Sequence, residues 1–439
     1  MKPYALEVAD VEGDGLDEVI FGLDPVISNL ATISVYRYDA ATNSLRSWAT
    51  MDDRVPGQSQ NSAFIRVGNV DDDDQIEYIR SAGSIIVTGL DLEVAWNGLA
   101  SHFFGGPFGG GLDATIAPGE QRLVFSAIGY ESQWRSETGP RILALDADTG
   151  AYSASAMNIG EDDYRAVPIQ VTDYGLDGVD EVFLIKGYDD HWHYAVWDIV
   201  EDRQRWRSPT DTRQAASIRK DDVTGDGRDD FIVDLGLSIS VYDLANESLV
   251  WESTNSGNDF TLGDLDADGN LELITKLYDP ESRRSLMHVY GKSSEATYEL
   301  RTSEIIGRSI DVDGFAVGDS DGDGEAEIFV LTHDLEVLRL DADLKELSRF
   351  TIAGIEPGRA EQVTGIYLDP PGAGRRNLIL TTSAADRIIG VDPINGSLVW
   401  KSPPLMGAVT ANGLRHTDID GDGEPNLVLA TEFGVYVTR

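Results

Sequence analysis

Seven times along the chain a short apolar strand enters the pattern Asp-x-Asp-x-Asp-Gly-x-x-(Asp/Glu), or a near variant of it, and a β-branched strand leaves it. Counting from the first acid, positions 1, 3, 5 and 9 are Asp10, Glu12, Asp14 and Glu18 in the first copy, and Asn69, Asp71, Asp73 and Glu77 in the second. Asp173, Asp177 and Glu181 form the third copy without an acid at position 3, and Asp222, Thr224, Asp226 and Asp230 form the fourth. Two copies are complete: Asp264, Asp266, Asp268 and Glu272, then Asp319, Asp321, Asp323 and Glu327. The last, Asp418, Asp420 and Asp422, ends on the amide Asn426. Two further units keep the strands without the acids, before Leu123-Val124-Phe125 and before Leu378-Ile379-Leu380. The pitch of the nine units is roughly 42 to 59 residues, the spacing of propeller blades.

Each unit continues into a hairpin. Ile142 to Tyr152, Ser240 to Trp251 and Ile389 to Trp400 each set turn residues between two apolar strands and close on an aromatic. Four strands per unit with no amphipathic helix predict an all-β fold, a single β-propeller of four-stranded antiparallel blades spanning 1–439. The ninth unit stops at its third strand, Gly434 to Thr438. Propeller statistics favour eight blades and the unit count favours nine.

Positions 1, 3, 5 and 9 converge several oxygens on one point, and glycine at position 6 permits the turn. Such a set suits a hard cation that takes six to eight oxygens at flexible geometry, which is calcium rather than magnesium. Position 7, Asn270 or Glu325 in the complete copies, is expected to add a backbone carbonyl. An EF-hand would need a glutamate at position 12 and flanking helices; here Thr275 and Val330 stand there, inside strand sequence. Solvated turns are the competing reading, and seven copies in register argue against it. The chain carries 77 acidic and 34 basic residues, a net charge of −43. Up to seven calcium ions would offset part of it, while a field of that sign disfavours nucleic acid and anionic membranes as partners. With no cysteine, thiolate metal sites and disulfides are excluded. No apolar run reaches the length of a membrane span, and the start lacks the apolar core of a signal peptide, so the chain is expected to be soluble.

The loops with their flanking strands resemble the FG-GAP or VCBS repeats of the integrin α-chain propeller and of bacterial exported proteins, over essentially the whole chain. The resemblance implies calcium between the first and second strands of a blade, a partner-binding role, and an extracellular, cell-surface or periplasmic location. Hairpins ending in Leu-Val-Trp also resemble those of PQQ-type propellers, some of which are assembly scaffolds.

Three aromatic-rich segments fall on the face opposite the acidic loops: His102, Phe103, Phe104 and Phe108; Tyr130, Trp134 and Arg135; and Tyr188, His191, Trp192 and His193. They are expected to form a recognition surface for a glycan or for an extracellular or envelope protein, the alternative being that they plug the ring or cover blade edges. His191 and His193 also have the spacing for a transition metal, without a visible third ligand. The run Arg203-Gln204-Arg205-Trp206-Arg207 is expected to solvate a hairpin. No nucleophile elbow, phosphate loop, metalloprotease helix or dinucleotide fingerprint occurs, so a binding module is expected. A polysaccharide lyase of the rhamnogalacturonan type, or an envelope scaffold, is the alternative.

Overall fold

In a computed structural model, the residues described are 2–24, 32–42, 44–52, 65–68, 77–81, 85–88, 94–98, 110–117, 120–127, 141–146, 157–158, 165–175, 177–188, 191–209, 211, 215, 217–253, 256–257, 260–279, 284–294, 297–308, 310–332, 336–352, 363–369, 376–382, 387–405, 409–423, 425–431 and 434–438. They form strands, turns and bends, with no helix among them. The strands make nine antiparallel meanders, numbered here one to nine in chain order: eight of four strands, and a ninth of three. Sheet one runs Lys2–Ala9, Glu18–Asp24, Thr32–Asp39 and Ser44–Asp52, and sheet nine runs Val409–Thr417, Asn426–Thr431 and Gly434–Thr438. This is the blade architecture of a β-propeller.

Burial explains the sequence pattern within a sheet. Second strands are closed in on both faces: Asp230–Asp234, Glu327–Thr332 and Asn426–Thr431 are buried at every residue. They therefore read as continuous apolar runs and not as alternation. Fourth strands lie outermost, and Ser248–Glu252 and Leu398–Lys401 contain no buried residue.

The chain divides into two compact units, Ala215–Val409 and the remainder, Met1–Gln214 with Thr410–Arg439. Within the first, sheets six and seven share a cluster that includes Ile274, Met287, Val289, Ile328, Val330 and Leu338; Phe329, Val337 and Phe350 then pack on Leu378, Leu380 and Ile389 of sheet eight. Within the second, Leu6, Val19 and Phe21 of sheet one pack against Ile419, Val428 and Ala430 of sheet nine. Apolar faces stacking sheet on sheet supply the core that no sheet has alone.

The fourth strands share a feature that the sequence did not announce. In sheets one, two, four, five, six, seven and eight the pairing with the third strand slips by one residue, at Trp48, Ala95, Arg205, Val250, Arg301, Leu347 and Val399. A bulge at a constant place sharpens the twist of the outer edge and re-aims one side chain.

Candidate metal centres

The six acidic loops within the described residues fold alike, and the reason is local hydrogen bonding. The position 1 carboxylate accepts the amide N–H of position 6 in every one: Gly15 on Asp10 at 2.8 Å, Gly178 on Asp173 at 2.8 Å, Gly227 on Asp222 at 2.8 Å, Gly269 on Asp264 at 3.0 Å, Gly324 on Asp319 at 3.0 Å and Gly423 on Asp418 at 2.8 Å. Those glycines have φ from 83° to 97°, the left-handed region that side chains penalise. Position 5 accepts the N–H of position 7, as in Leu16 on Asp14 at 2.9 Å and Glu325 on Asp323 at 2.9 Å. Of the second loop only Glu77 is described, and it is buried; Asn69, Asp71 and Asp73 lie outside the described residues.

Position 9 opens the second strand and is never more than 4 % exposed. One of its oxygens accepts the N–H of position 2: Val11 on Glu18 at 3.0 Å, Tyr174 on Glu181 at 2.8 Å, Val223 on Asp230 at 3.0 Å, Leu265 on Glu272 at 2.8 Å and Ser320 on Glu327 at 2.9 Å. In the last loop Asn426 Oδ1 accepts from Ile419 at 2.9 Å. An amide there is thus intelligible, because closing the loop needs an acceptor at position 9 and not a charge.

Burial raises the proton affinity of these carboxyls. It pushes Glu18 up to about 7 and Asp230 up to about 6, and it moves Glu181 and Glu272 in the same direction. A raised folded pKa gives stability that is present below the unfolded value and lost as pH rises through the folded one. The windows are 4.5 to about 7 for Glu18 and 3.8 to about 6 for Asp230. Metal-free protein is therefore expected to gain melting temperature as the pH falls from 8 to 6. Relief of the self-repulsion of the −43 charge acts in the same sense. Calorimetry in EDTA across that range checks this, and a melting temperature that falls toward pH 6 would contradict it.

In four loops a guanidinium meets the acid at position 9 and one more acid, at position 3 in three loops and at position 5 in the other. Arg37 pairs with Glu12 and lies 3.8 Å from Glu18. Arg205 pairs with Glu181 and reaches Asp198 at 3.2 Å and Asp177 at 3.9 Å. Arg301 sits 2.7 Å from Asp266 and 3.1 Å from Glu272, and Arg339 pairs with Glu327 and with Asp321 at 2.5 Å. In the Asp222 loop the Lys292 ammonium donates to the Thr224 carbonyl at 2.6 Å. Arg205 thus turns inward, with its neighbour Trp206 buried, which corrects the expectation that the 203–207 run only solvates a hairpin. The sequence carried a signal for two of these cations: Val35-Tyr36-Arg37-Tyr38-Asp39 and Val337-Leu338-Arg339-Leu340-Asp341 share a third-strand pattern. Arg205 and Arg301 are the bulged residues of their fourth strands.

Three groups bring one carboxylate oxygen from each member within 4.8 Å of one another: Asp264, Asp266 and Glu272; Asp319, Asp321 and Asp323; Asp418, Asp420 and Asp422. Hard oxygen donors at that spacing fit a divalent cation. In the first two groups the arginine shares the acids, so a metal and a guanidinium draw on the same charge. At position 7, Asn270 donates its N–H and its side-chain amide to Asp268, at 2.8 and 3.0 Å.

The aromatic segments divide differently. His102, Phe103, Phe104, Phe108, Tyr130, Trp134 and Arg135 lie outside the described residues. Tyr188 ends the second strand of sheet four and His191 begins the third, facing it in register. Trp192 is 6 % exposed and His193 1 %, and Trp192 exchanges backbone hydrogen bonds with Asp211 at 2.7 and 2.6 Å. His193 Nδ1 lies 3.4 Å from Arg207, a cation that opposes a metal on that ring. His191 is exposed. Trp192 and His193 are therefore packed within the blade, and of the four only His191 is described as exposed.

No family profile and no curated protein matches the chain. Solved structures do. The chain superposes on rhamnogalacturonan lyase YesW with a TM-score of 0.54 at 15 % identity, over 100 % of this chain and 89 % of that one. Sqt1 of Saccharomyces cerevisiae gives a TM-score of 0.50 at 10 % identity, over 99 % and 95 %. These likenesses are of fold. They agree with the stacked four-stranded meanders in making the chain a β-propeller. No helix among the described residues is long and apolar enough to cross a membrane.

Proposed function

We propose that the chain is a calcium-stabilised propeller of the FG-GAP/VCBS type, exported or displayed at a cell surface, that binds a glycan or a protein partner. The observation that carries this reading is the recurrence of one carboxylate cage in six described loops, three of which gather oxygens at cation spacing. Calcium at such loops would tie the first strand of a blade to the second and offset a negative field that otherwise opposes folding. Recognition is assigned to the aromatic segments at 102–108 and 130–135.

The test is a binding screen of calcium-loaded protein against arrayed glycans and extracellular matrix proteins, beside a Phe104→Ala/Trp134→Ala variant. Trp192 is left intact, because its burial would turn its removal into a packing defect costing about 3 kcal/mol. The expected result is a hit that the double variant loses with its melting temperature unchanged. A hit that the variant keeps would remove the aromatic surface from the account.

A lyase acting on an acidic polysaccharide is the second reading, favoured by the full-length fold likeness to the rhamnogalacturonan lyase. It predicts that an acidic-glycan hit is followed by new unsaturated sugar ends. Binding without turnover would leave the module reading, and a silent array would favour an envelope scaffold.

A further inference from the structure

Sheet six departs from the hairpin pattern of its neighbours. In a meander the turn between the third and fourth strands lies at the same end as the loop between the first and second, so both belong to the end that carries the acids. In sheets four, five and seven the residue after position 9 pairs with Trp197, Tyr242 and Leu340 of the third strand. The next residue in each is an aspartate that turns the chain: Asp198, Asp243 and Asp341 accept the N–H of Glu201 at 2.8 Å, of Asn246 at 2.9 Å and of Asp343 at 2.9 Å. In sheet six the matching pair is Leu273 with Tyr290, and Gly291 stands in place of the aspartate. A Cβ there would collide with the side chain of Arg301, which passes to Asp266 and Glu272. With no carboxylate to turn the chain at that place, the strands Arg284–Ser294 and Thr297–Arg308 stay paired as far as Ser294 and Thr297.

The extension carries Lys292, which pairs with Tyr298. Tyr290 and Tyr298 pack on Trp251 of sheet five, with ring centroids 5.2 and 5.4 Å away, so the hairpin leans on sheet five within the compact unit Ala215–Val409. From there the Lys292 ammonium donates to the Thr224 carbonyl at 2.6 Å, at position 3 of the Asp222 loop. That loop departs from the others at the same place. Arg37, Arg301 and Arg339 meet a charged position 3, at Glu12, Asp266 and Asp321, whereas Thr224 brings no charge. Among the described residues no lysine or arginine forms an ion pair with Asp222, Asp226 or Asp230, and the three groups of acids at cation spacing lie in other loops. An acid missing from sheet five and a cation added by sheet six thus meet at one point. A fixed ammonium repels a second cation and offsets part of the charge that a divalent ion would otherwise balance.

We propose that Lys292 is the resident cation of the Asp222 loop, keeping metal out of that loop while latching sheet six onto sheet five. The inference rests on the calcium reading of the repeated loops and says which of them calcium leaves empty.

Calcium is counted by equilibrium dialysis at pH 8 on the parent, on Lys292→Met and on Lys345→Met. The last makes the same change of charge at an exposed side chain paired with Asp343. Lys292→Met is expected to bind one ion more than the parent, an ion lost again when Asp226→Ala is added, and Lys292→Arg and Lys345→Met are expected to keep the parent count. In EDTA, Lys292→Met should melt about 2 °C below Lys345→Met, the worth of a hydrogen bond from a charged donor in a chain of this length, and calcium should restore the difference. A parent that binds its ions beside a Lys292→Met that gains none would overturn the inference and leave the calcium reading intact. A gain shared by Lys345→Met would overturn it too, by assigning the extra ion to net charge alone. No ion in any of the proteins would remove the calcium reading, and the EDTA melt would then decide the latch: equal melting of the two variants overturns it.

Discussion

Excess EDTA at pH 8 is expected to lower the melting temperature of the protein by about 8 °C. The figure follows from the three carboxylate groups whose oxygens lie at cation spacing. A ligand at a hundred times its Kd stabilises by about 2.7 kcal/mol per site, so three sites contribute about 8 kcal/mol. Unfolding entropy of about 2.1 cal/mol/K per residue makes each kcal/mol worth roughly 1 °C in a chain of this length. The effect also has a pH signature. Calcium holds carboxylates ionised, and burial raises the proton affinity of Glu272 and of Asp420, which belong to two of those three groups. The stabilisation by calcium is therefore expected to shrink from pH 8 to pH 5.5. Scanning calorimetry with calcium and with EDTA at both pH values checks it, and an EDTA shift below 1 °C at pH 8 would remove calcium from the stability account.

Arg339→Met is expected to cost about 3 kcal/mol in metal-free protein at pH 8, the lower end of the range for breaking a buried ion pair. The Arg339 side chain is 11 % exposed and Glu327 6 %, so the substitution leaves a carboxylate with its backbone N–H partner and no cation. Methionine keeps much of the stem volume, which confines the loss to charge and hydrogen bonds. The same change frees Asp321 and Glu327 for a metal, so calcium should restore more stability to the variant than it adds to the parent. Urea unfolding of both proteins, with and without calcium, measures the difference. Equal calcium increments would show that arginine and metal do not compete in that loop.

The loops were legible because everything that shapes them lies within nine residues. Position 1 caps the turn, position 6 takes a left-handed φ, and position 9 returns to hold position 2, all by local hydrogen bonds that leave a spacing in the sequence. The four-stranded repeat was legible too, since buried second strands such as Phe231-Ile232-Val233 and turn-bearing hairpins recur in order. The arginines that reach into the acids were not. Arg205 and Arg301 lie 24 and 29 residues beyond the glutamates they meet, and a pairing shift of one residue on an outer strand aims them. Nothing local encodes that shift.

The segment 187–193 illustrates the opposite error. Gly187-Tyr188-Asp189-Asp190-His191-Trp192-His193 reads as an aromatic loop, yet the strands of sheet four run through Tyr188 and resume at His191. Trp192 is buried and its backbone bridges to Asp211, a contact with a residue 19 positions away that no hydropathy pattern foretells. At position 9 the residue type alone hides a structural duty, accepting the position 2 N–H, which Asn426 performs without charge.

Equilibrium dialysis of the full chain against calcium at pH 8 tests the central claim that the repeated acidic loops hold cations. The account predicts at least three ions per chain, with one lost in each of Asp264→Ala, Asp319→Ala and Asp418→Ala. Fewer than one ion per chain, or a stoichiometry that none of the three variants lowers, would contradict it.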